Sequence, residues 1–187
     1  MTELFAFTIG TAVLVWLSRK PLSTPGRHGF YRFFAWEAIL GLVVLNHKEW
    51  GEQPFSPHQI ASWLLMLTSI FLVISAVRLL KGKGHKNKGQ ANTERDDAAL
   101  YEFEKTTQLV TSGIFGYIRH PMYTSLMALA WGAYCQNPSW PGAAIAGFAS
   151  VCVLLTAIAD DAECLAYFGE PYAAYMKTTR RFIPYLI

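Results

Sequence analysis

Arg119-His120-Pro121-Met122-Tyr123 puts a guanidinium, an imidazole and a phenol within five residues, and the proline dictates how they are held. Proline fixes its own φ and lacks an N–H, so it suits the first turn of a helix and pushes the residue before it toward extended geometry. The spacing therefore predicts a helix starting at Pro121, with Arg119 and His120 on its approach and Tyr123 in its first turn. Unpaired N–H groups there carry partial positive charge and favour anions. The same residues also suit an interfacial anchor with a belt aromatic. A second polar group, Asp160-Asp161-Ala162-Glu163, adds three carboxylates. Brought together, the two groups can hold a zwitterionic or cationic small molecule.

The 187 residues are 52% hydrophobic, 14% aromatic and only 16% charged, which favours one domain of the membrane class. The net charge of +3 is not arranged as a basic stripe among stacking aromatics, so nucleic acid is excluded as a partner. Cys135, Cys152 and Cys164 are odd in number and lack a Cys-x-x-Cys spacing. They indicate neither a disulfide framework nor a metal site.

Five apolar runs follow in order: Leu4 to Leu17, Phe30 to Leu45, Gln59 to Leu80, Met122 to Cys135 and Ala143 to Ala159. At about 1.5 Å per residue each spans or nearly spans a hydrocarbon core of about 30 Å. The first has no positive residues before it and Arg19 and Lys20 after it, so it reads as a retained helix and not a signal peptide. The expected fold is all-α and polytopic, with about five transmembrane helices and short helices at the cytosolic face. With the amino terminus outside, every Lys and Arg except Lys48 falls to the inner side, which places the carboxyl terminus in the cytosol.

Lys81 to Asp97 has no apolar face and reads as a solvated linker, with lysines able to touch anionic head groups. It divides the chain into residues 1–99, three helices forming a probable acceptor side, and residues 100–187, a cofactor-binding hairpin and interfacial helix, within one structural domain. Glu37 is an ionisable group inside the second run. It reads either as a functional group or as the partner of Arg32 or Arg78.

The turn Asn137 to Gly142 is so short that the fourth and fifth helices form an antiparallel hairpin. Asp160, Asp161 and Glu163 then return to the end where Arg119, His120 and Pro121 begin. Beyond them Gly169 reads as a helix stop and Pro171 as a helix start. Tyr172, Tyr175 and Met176 fall on one face of that last helix, a spacing that serves packing as readily as ligand contact.

Leu109-Val110-Thr111-Ser112-Gly113-Ile114-Phe115, Arg119-His120-Pro121-Met122-Tyr123, the acidic pair, Phe168-Gly169-Glu170-Pro171-Tyr172 with Tyr175, and Arg181-Phe182-Ile183-Pro184, in that order, resemble the isoprenylcysteine carboxyl methyltransferase family. The likeness covers Leu109 to Pro184. Two positions depart from it: Asp160-Asp161 stands where that family usually has Glu-Glu, and Thr107 where it commonly has histidine. The resemblance implies an integral-membrane enzyme that binds S-adenosylmethionine near the cytosolic face and takes a lipophilic or lipidated acceptor from the bilayer.

On that implication Arg119 is catalytic and orients a carboxylate; Glu37, which the likeness does not reach, is the candidate on the acceptor side from its place inside an apolar run. His120, Pro121 and Tyr123 meet the methionine part of the cofactor, and Asp160, Asp161 or Glu163 its ammonium or ribose. Gly113, Phe115, Tyr117, Tyr172 and Tyr175 belong to the cofactor wall. A carboxylate acceptor is already ionised and needs no base. A phospholipid amine or small thiol needs one, for which Glu37 or His120 can serve. Membrane sterol reductases that use a nicotinamide nucleotide offer a reading of another class.

Overall fold

A computed structural model describes residues 1–84, 100 and 104–184. Most of the segment read as a polybasic linker thus lies outside the described residues. Six α-helices carry the fold: α1 (Thr2–Leu22), α2 (His28–Asn46), α3 (Pro57–Lys83), α4 (Pro121–Cys135), α5 (Trp140–Phe168) and α6 (Glu170–Thr178). No strand occurs among the described residues; one isolated parallel bridge joins Ile118 to Arg180. Three stretches are long and apolar enough to cross a membrane: His28–Glu49, which is α2 with the 3-10 turn after it, α3, and α5. The other two apolar runs, α1 and α4, pack beside them.

Prolines start the helices where the sequence puts them. Pro57, Pro121, Pro141 and Pro171 all occupy the first turn, where a missing N–H costs nothing. Ser139 caps α5 by accepting the Gly142 N–H at 3.2 Å. Gly169, at φ +63°, ends α5 and lets the chain turn directly into α6.

Two helices outrun their apolar stretches. α3 continues through Lys81 and Lys83, so the first residues of the expected linker are helical. α5 continues past Ala159 to Phe168, which puts Asp160, Asp161 and Glu163 on the helix and not beyond its end. Hydropathy marks where a chain leaves an apolar environment, whereas the helix runs on to its stop signal at Gly169.

The bundle is sealed by small residues. Ala35 and Ala38 of α2, Ala130 and Ala133 of α4, and Ala146, Ala149 and Ala157 of α5 meet in one buried cluster. Small side chains let helix backbones approach closely, which is how helices associate where no water is displaced. The outward faces of α3 and α5 show Leu64, Leu67, Phe71, Phe148, Val151 and Ile158 instead, as lipid contact requires. At one end of the bundle buried polar groups are tied off: Asn46 donates to Ala133 O at 2.8 Å, and Ser62 to Gly132 O at 2.6 Å. At the other end they surround a cavity.

Candidate active site

α4 and α5 contact each other as a hairpin, and α6 folds back against α5, so three chain ends meet at the start of α4. Asp161 is where they are joined. Its Oδ1 accepts from His120 Nε2 at 2.8 Å, from Tyr172 OH at 2.7 Å and from Arg119 Nε at 3.3 Å, while Oδ2 accepts from Arg181 Nε at 2.8 Å. Four donors on one buried carboxylate form a charge-assisted network. The backbone reinforces it: the Arg119 N–H donates to Arg180 O at 2.7 Å and the His120 N–H to Arg181 O at 3.1 Å.

Arg119 is held along its length. Nη1 donates to Met176 O at 3.1 Å and to Thr179 O at 2.5 Å, leaving Nη2 without a partner among the described residues. His120 has its other nitrogen, Nδ1, 3.4 Å from Asp160 Oδ2, and its ring stacks on Tyr123 with centroids 5.2 Å apart. Burial disfavours the charged imidazolium, but the hydrogen bonds to Asp160 and Asp161 outweigh it and raise the pKa above the ordinary value. Burial, joined by nearby negative charge including that of Asp161, drives the Tyr172 phenol well above its usual range, so it remains a donor. Burial likewise raises Tyr175, whose hydroxyl donates to Phe115 O at 2.5 Å.

These groups border a cavity. The start of α4 supplies Arg119, His120, Pro121, Met122 and Tyr123; α5 supplies Asp160, Glu163, Cys164 and Phe168; α6 supplies Tyr172 and Tyr175. Asp160, Glu163 and Cys164 lie at i, i+3 and i+4, on one face of α5, which turns Asp161 away from the cavity. The remaining wall runs from Thr106 through Val110 to Phe115, and Leu80 closes it from α3. Empty space between these walls, with the open mouth included, is about 870 Å³.

Most residues singled out from sequence meet here: Arg119, His120, Pro121, Tyr123, Asp160, Glu163, Tyr172 and Tyr175 line the cavity, and Asp161 braces it from behind. Three do not. Gly113 opens the 3-10 turn Gly113–Gly116 at φ +63° and packs against Leu79. Tyr117 is 60% exposed and borders a separate depression with Lys177 and Arg180. Glu37 sits between α2 and α1, accepting from Thr11 Oγ1 at 2.9 Å, outside the cavity. It pairs with neither Arg32 nor Arg78; Arg32 instead forms an ion pair with Glu104.

Sequence reasoning passed over His28 and Glu104, both on the cavity wall. His28 binds Glu163 twice: its backbone N–H donates to Oε1 and its Nδ1 lies against Oε2, each at 2.9 Å. The only sequence signal was a histidine at the head of an apolar helix. Thr107, at the position of the expected histidine, turns instead to Gly84 O.

The fold and site together define an all-helical membrane protein with a polar, acid-rich cavity at one end of its bundle. Among known families the phospholipid methyltransferase model matches residues 57–160, more than half of the chain, and the chain belongs to that family. It is by descent an integral-membrane methyltransferase of the superfamily that also contains the isoprenylcysteine enzymes. No curated protein and no solved structure matches it.

Proposed function

We propose that this cavity binds S-adenosylmethionine and that the protein transfers its methyl group to a lipophilic acceptor arriving from the bilayer, with the reacting end near the cytosolic face. The observation that carries the proposal is the join of Arg119 and His120 to the acids of α5 through Asp161.

The donor set suits the cofactor. Its zwitterionic amino acid part needs a cation for its carboxylate and an anion for its ammonium; Arg119 Nη2 offers the first and Asp160 the second. Its adenine needs flat apolar surface, which Phe115, Phe168 and Tyr175 provide. A cavity of several hundred Å³ is of the size that binds ligands of this class. Bound there, the cofactor supplies an electrophilic methyl group, and the protein's share is to align the partners and exclude water.

Two acceptors are compatible with this. A carboxylate of the isoprenylcysteine type is oriented by Arg119 and needs no base. A phospholipid amine is favoured by the family to which the chain belongs. Nicotinamide chemistry has less support, because binding its phosphates calls for several converging cations, and Arg181 is already committed to Asp161.

Purified protein in lipid vesicles, given S-adenosylmethionine labelled in its methyl group, should pass the label to an extractable lipid. Label that stays in the aqueous phase with every lipid tested would remove the proposal.

A further inference from the structure

Methyl transfer to a carboxylate liberates no proton, whereas transfer to an amine or thiol does, and a group must receive it. The two candidates visible in sequence are badly placed. Glu37 lies outside the cavity against Thr11. His120 has both ring nitrogens against carboxylates, at 2.8 and 3.4 Å, so neither is turned to an incoming acceptor.

His28 is arranged differently. It opens α2, is only 3% exposed and lines the cavity. Glu163 grips both its backbone N–H and its Nδ1, so the proton of the neutral ring belongs on Nδ1 and the lone pair on Nε2. Nε2 takes no hydrogen bond among the described residues, yet it is not among the fully buried atoms that lack a partner. Its lone pair is therefore open to the cavity. The charged groups facing the ring are Glu163 and Asp160 from α5 and Arg32 from α2, the last paired with Glu104 of the opposing loop.

We propose that His28, oriented by Glu163, is the proton acceptor of the reaction, and that the methyl acceptor enters the cavity as an N–H or S–H group on a lipophilic molecule. The inference rests on the methyltransferase reading and selects among its acceptors. For a lipid ammonium the step balances as follows. The ammonium gives one proton to His28 Nε2, and the lone pair released on nitrogen forms the new N–CH3 bond. The S–CH3 bond breaks with its electron pair remaining on sulfur, leaving a neutral thioether. The imidazolium, stabilised by Glu163, then returns its proton to solvent at the mouth. Glu163 acts through His28 and is a positioning residue.

His28→Asn separates this role from a structural one, because the Asn amide can still donate to Glu163 from the position of Nδ1 but has no base at Nε2. Wild type and H28N are compared for affinity toward the demethylated cofactor and for transfer to two probes in mixed micelles, phosphatidylethanolamine and a farnesylated cysteine. The expected result is cofactor affinity within about twofold, transfer to the amine lowered about 100-fold, loss of the acidic limb of its pH profile, and partial rescue by added imidazole. H28N with an unaltered rate and profile would overturn the proposal. So would loss of cofactor affinity in step with rate, which would make the pair a structural pin. Wild type that methylates only the farnesylated cysteine also overturns it while leaving the methyltransferase reading intact. Wild type that methylates neither probe nor any membrane lipid removes both.

Discussion

His120 Nε2 lies 2.8 Å from Asp161 Oδ1 across 41 residues of chain, and the contact closes the α4–α5 hairpin at the cavity end. Its neighbour Asp160 shares the helix but not the task. One residue of helix rotates a side chain by about 100°, so Asp161 points into the junction with α6 while Asp160 faces the cavity. The pair that looks redundant in sequence is divided between bracing the junction and lining the cavity.

That division can be tested by comparing Asp161→Ala with Asp160→Asn. Removing Asp161 strands Arg119 and Arg181 in partly buried surroundings and should cost about 3–5 kcal/mol of stability. D160N removes one of the two acids beside His120 and should cost less, about 1–2 kcal/mol, but bind S-adenosylmethionine at least about tenfold more weakly, a loss typical of a charge-assisted contact. Melting curves in detergent with ligand titrations distinguish the two; equal effects on stability would contradict the assignment.

Arg119 is anchored by two separate donors, Nε on Asp161 and Nη1 on Thr179 O. Lysine has the charge but not the fork. Both Arg119→Ala and Arg119→Lys should therefore lower methyl transfer by about 100-fold or more while membrane insertion is retained. Full activity in R119K would mean that charge alone suffices and the anchored geometry is irrelevant.

The raised pKa of His120 gives a pH dependence with a definite sign. Above about pH 6.5 the unfolded chain's histidine is neutral while the folded one keeps its proton, so the native state binds more protons there. The stabilisation is complete below about pH 6.5 and fades as pH rises through the folded value. The groups that face the ring are Asp160, Asp161 and Tyr123, with Arg119 beside them. The melting temperature of wild type should fall more steeply as the pH rises above about 6.5 than that of His120→Gln. Parallel slopes would show that His120 contributes no such linkage.

Gly113 and Tyr117 stand apart from the cavity, and their substitutions should show it. A Cβ at Gly113 would come 2.8 Å from Leu79 Cδ1 in backbone that already favours glycine, so Gly113→Ala should lose about 1–2 kcal/mol of stability. Ligand affinity of the folded fraction should be unchanged in G113A, and within about twofold in Tyr117→Ala. A stable G113A that no longer binds the cofactor would return Gly113 to the site.

Much of this arrangement was legible in sequence, for physical reasons that differ by residue. Pro121, Pro171 and Gly169 act locally, so the starts of α4 and α6 and the stop between α5 and α6 could be read directly; Pro57 and Pro141 begin α3 and α5 in the same way, but hydropathy starts those runs only at Gln59 and Ala143. The short turn after α4 forces a hairpin, and with it the meeting of Arg119 with Asp161, without any knowledge of packing. Continuing α5 to Gly169 would have revealed that Asp160 and Asp161 face different ways; the apolar run ended too early to suggest it. His28 and Glu104 were hidden for another reason. They reach the cavity through the packing of α2 on α5 and the return of the loop onto α3, and neither contact leaves a local pattern. Glu37 drew attention by its charge alone, which marks a polar contact in an apolar helix but does not say with what.

The central claim is that the cavity joined through Asp161 is a cofactor site. Titration of detergent-purified wild type, D160N and R119A with S-adenosylmethionine, its demethylated product and NADPH tests it most directly. The account predicts saturable binding of the first two ligands to wild type, weakened in both variants, and no binding of NADPH. Binding of the nucleotide alone, or cofactor affinity unaltered by either substitution, would contradict it.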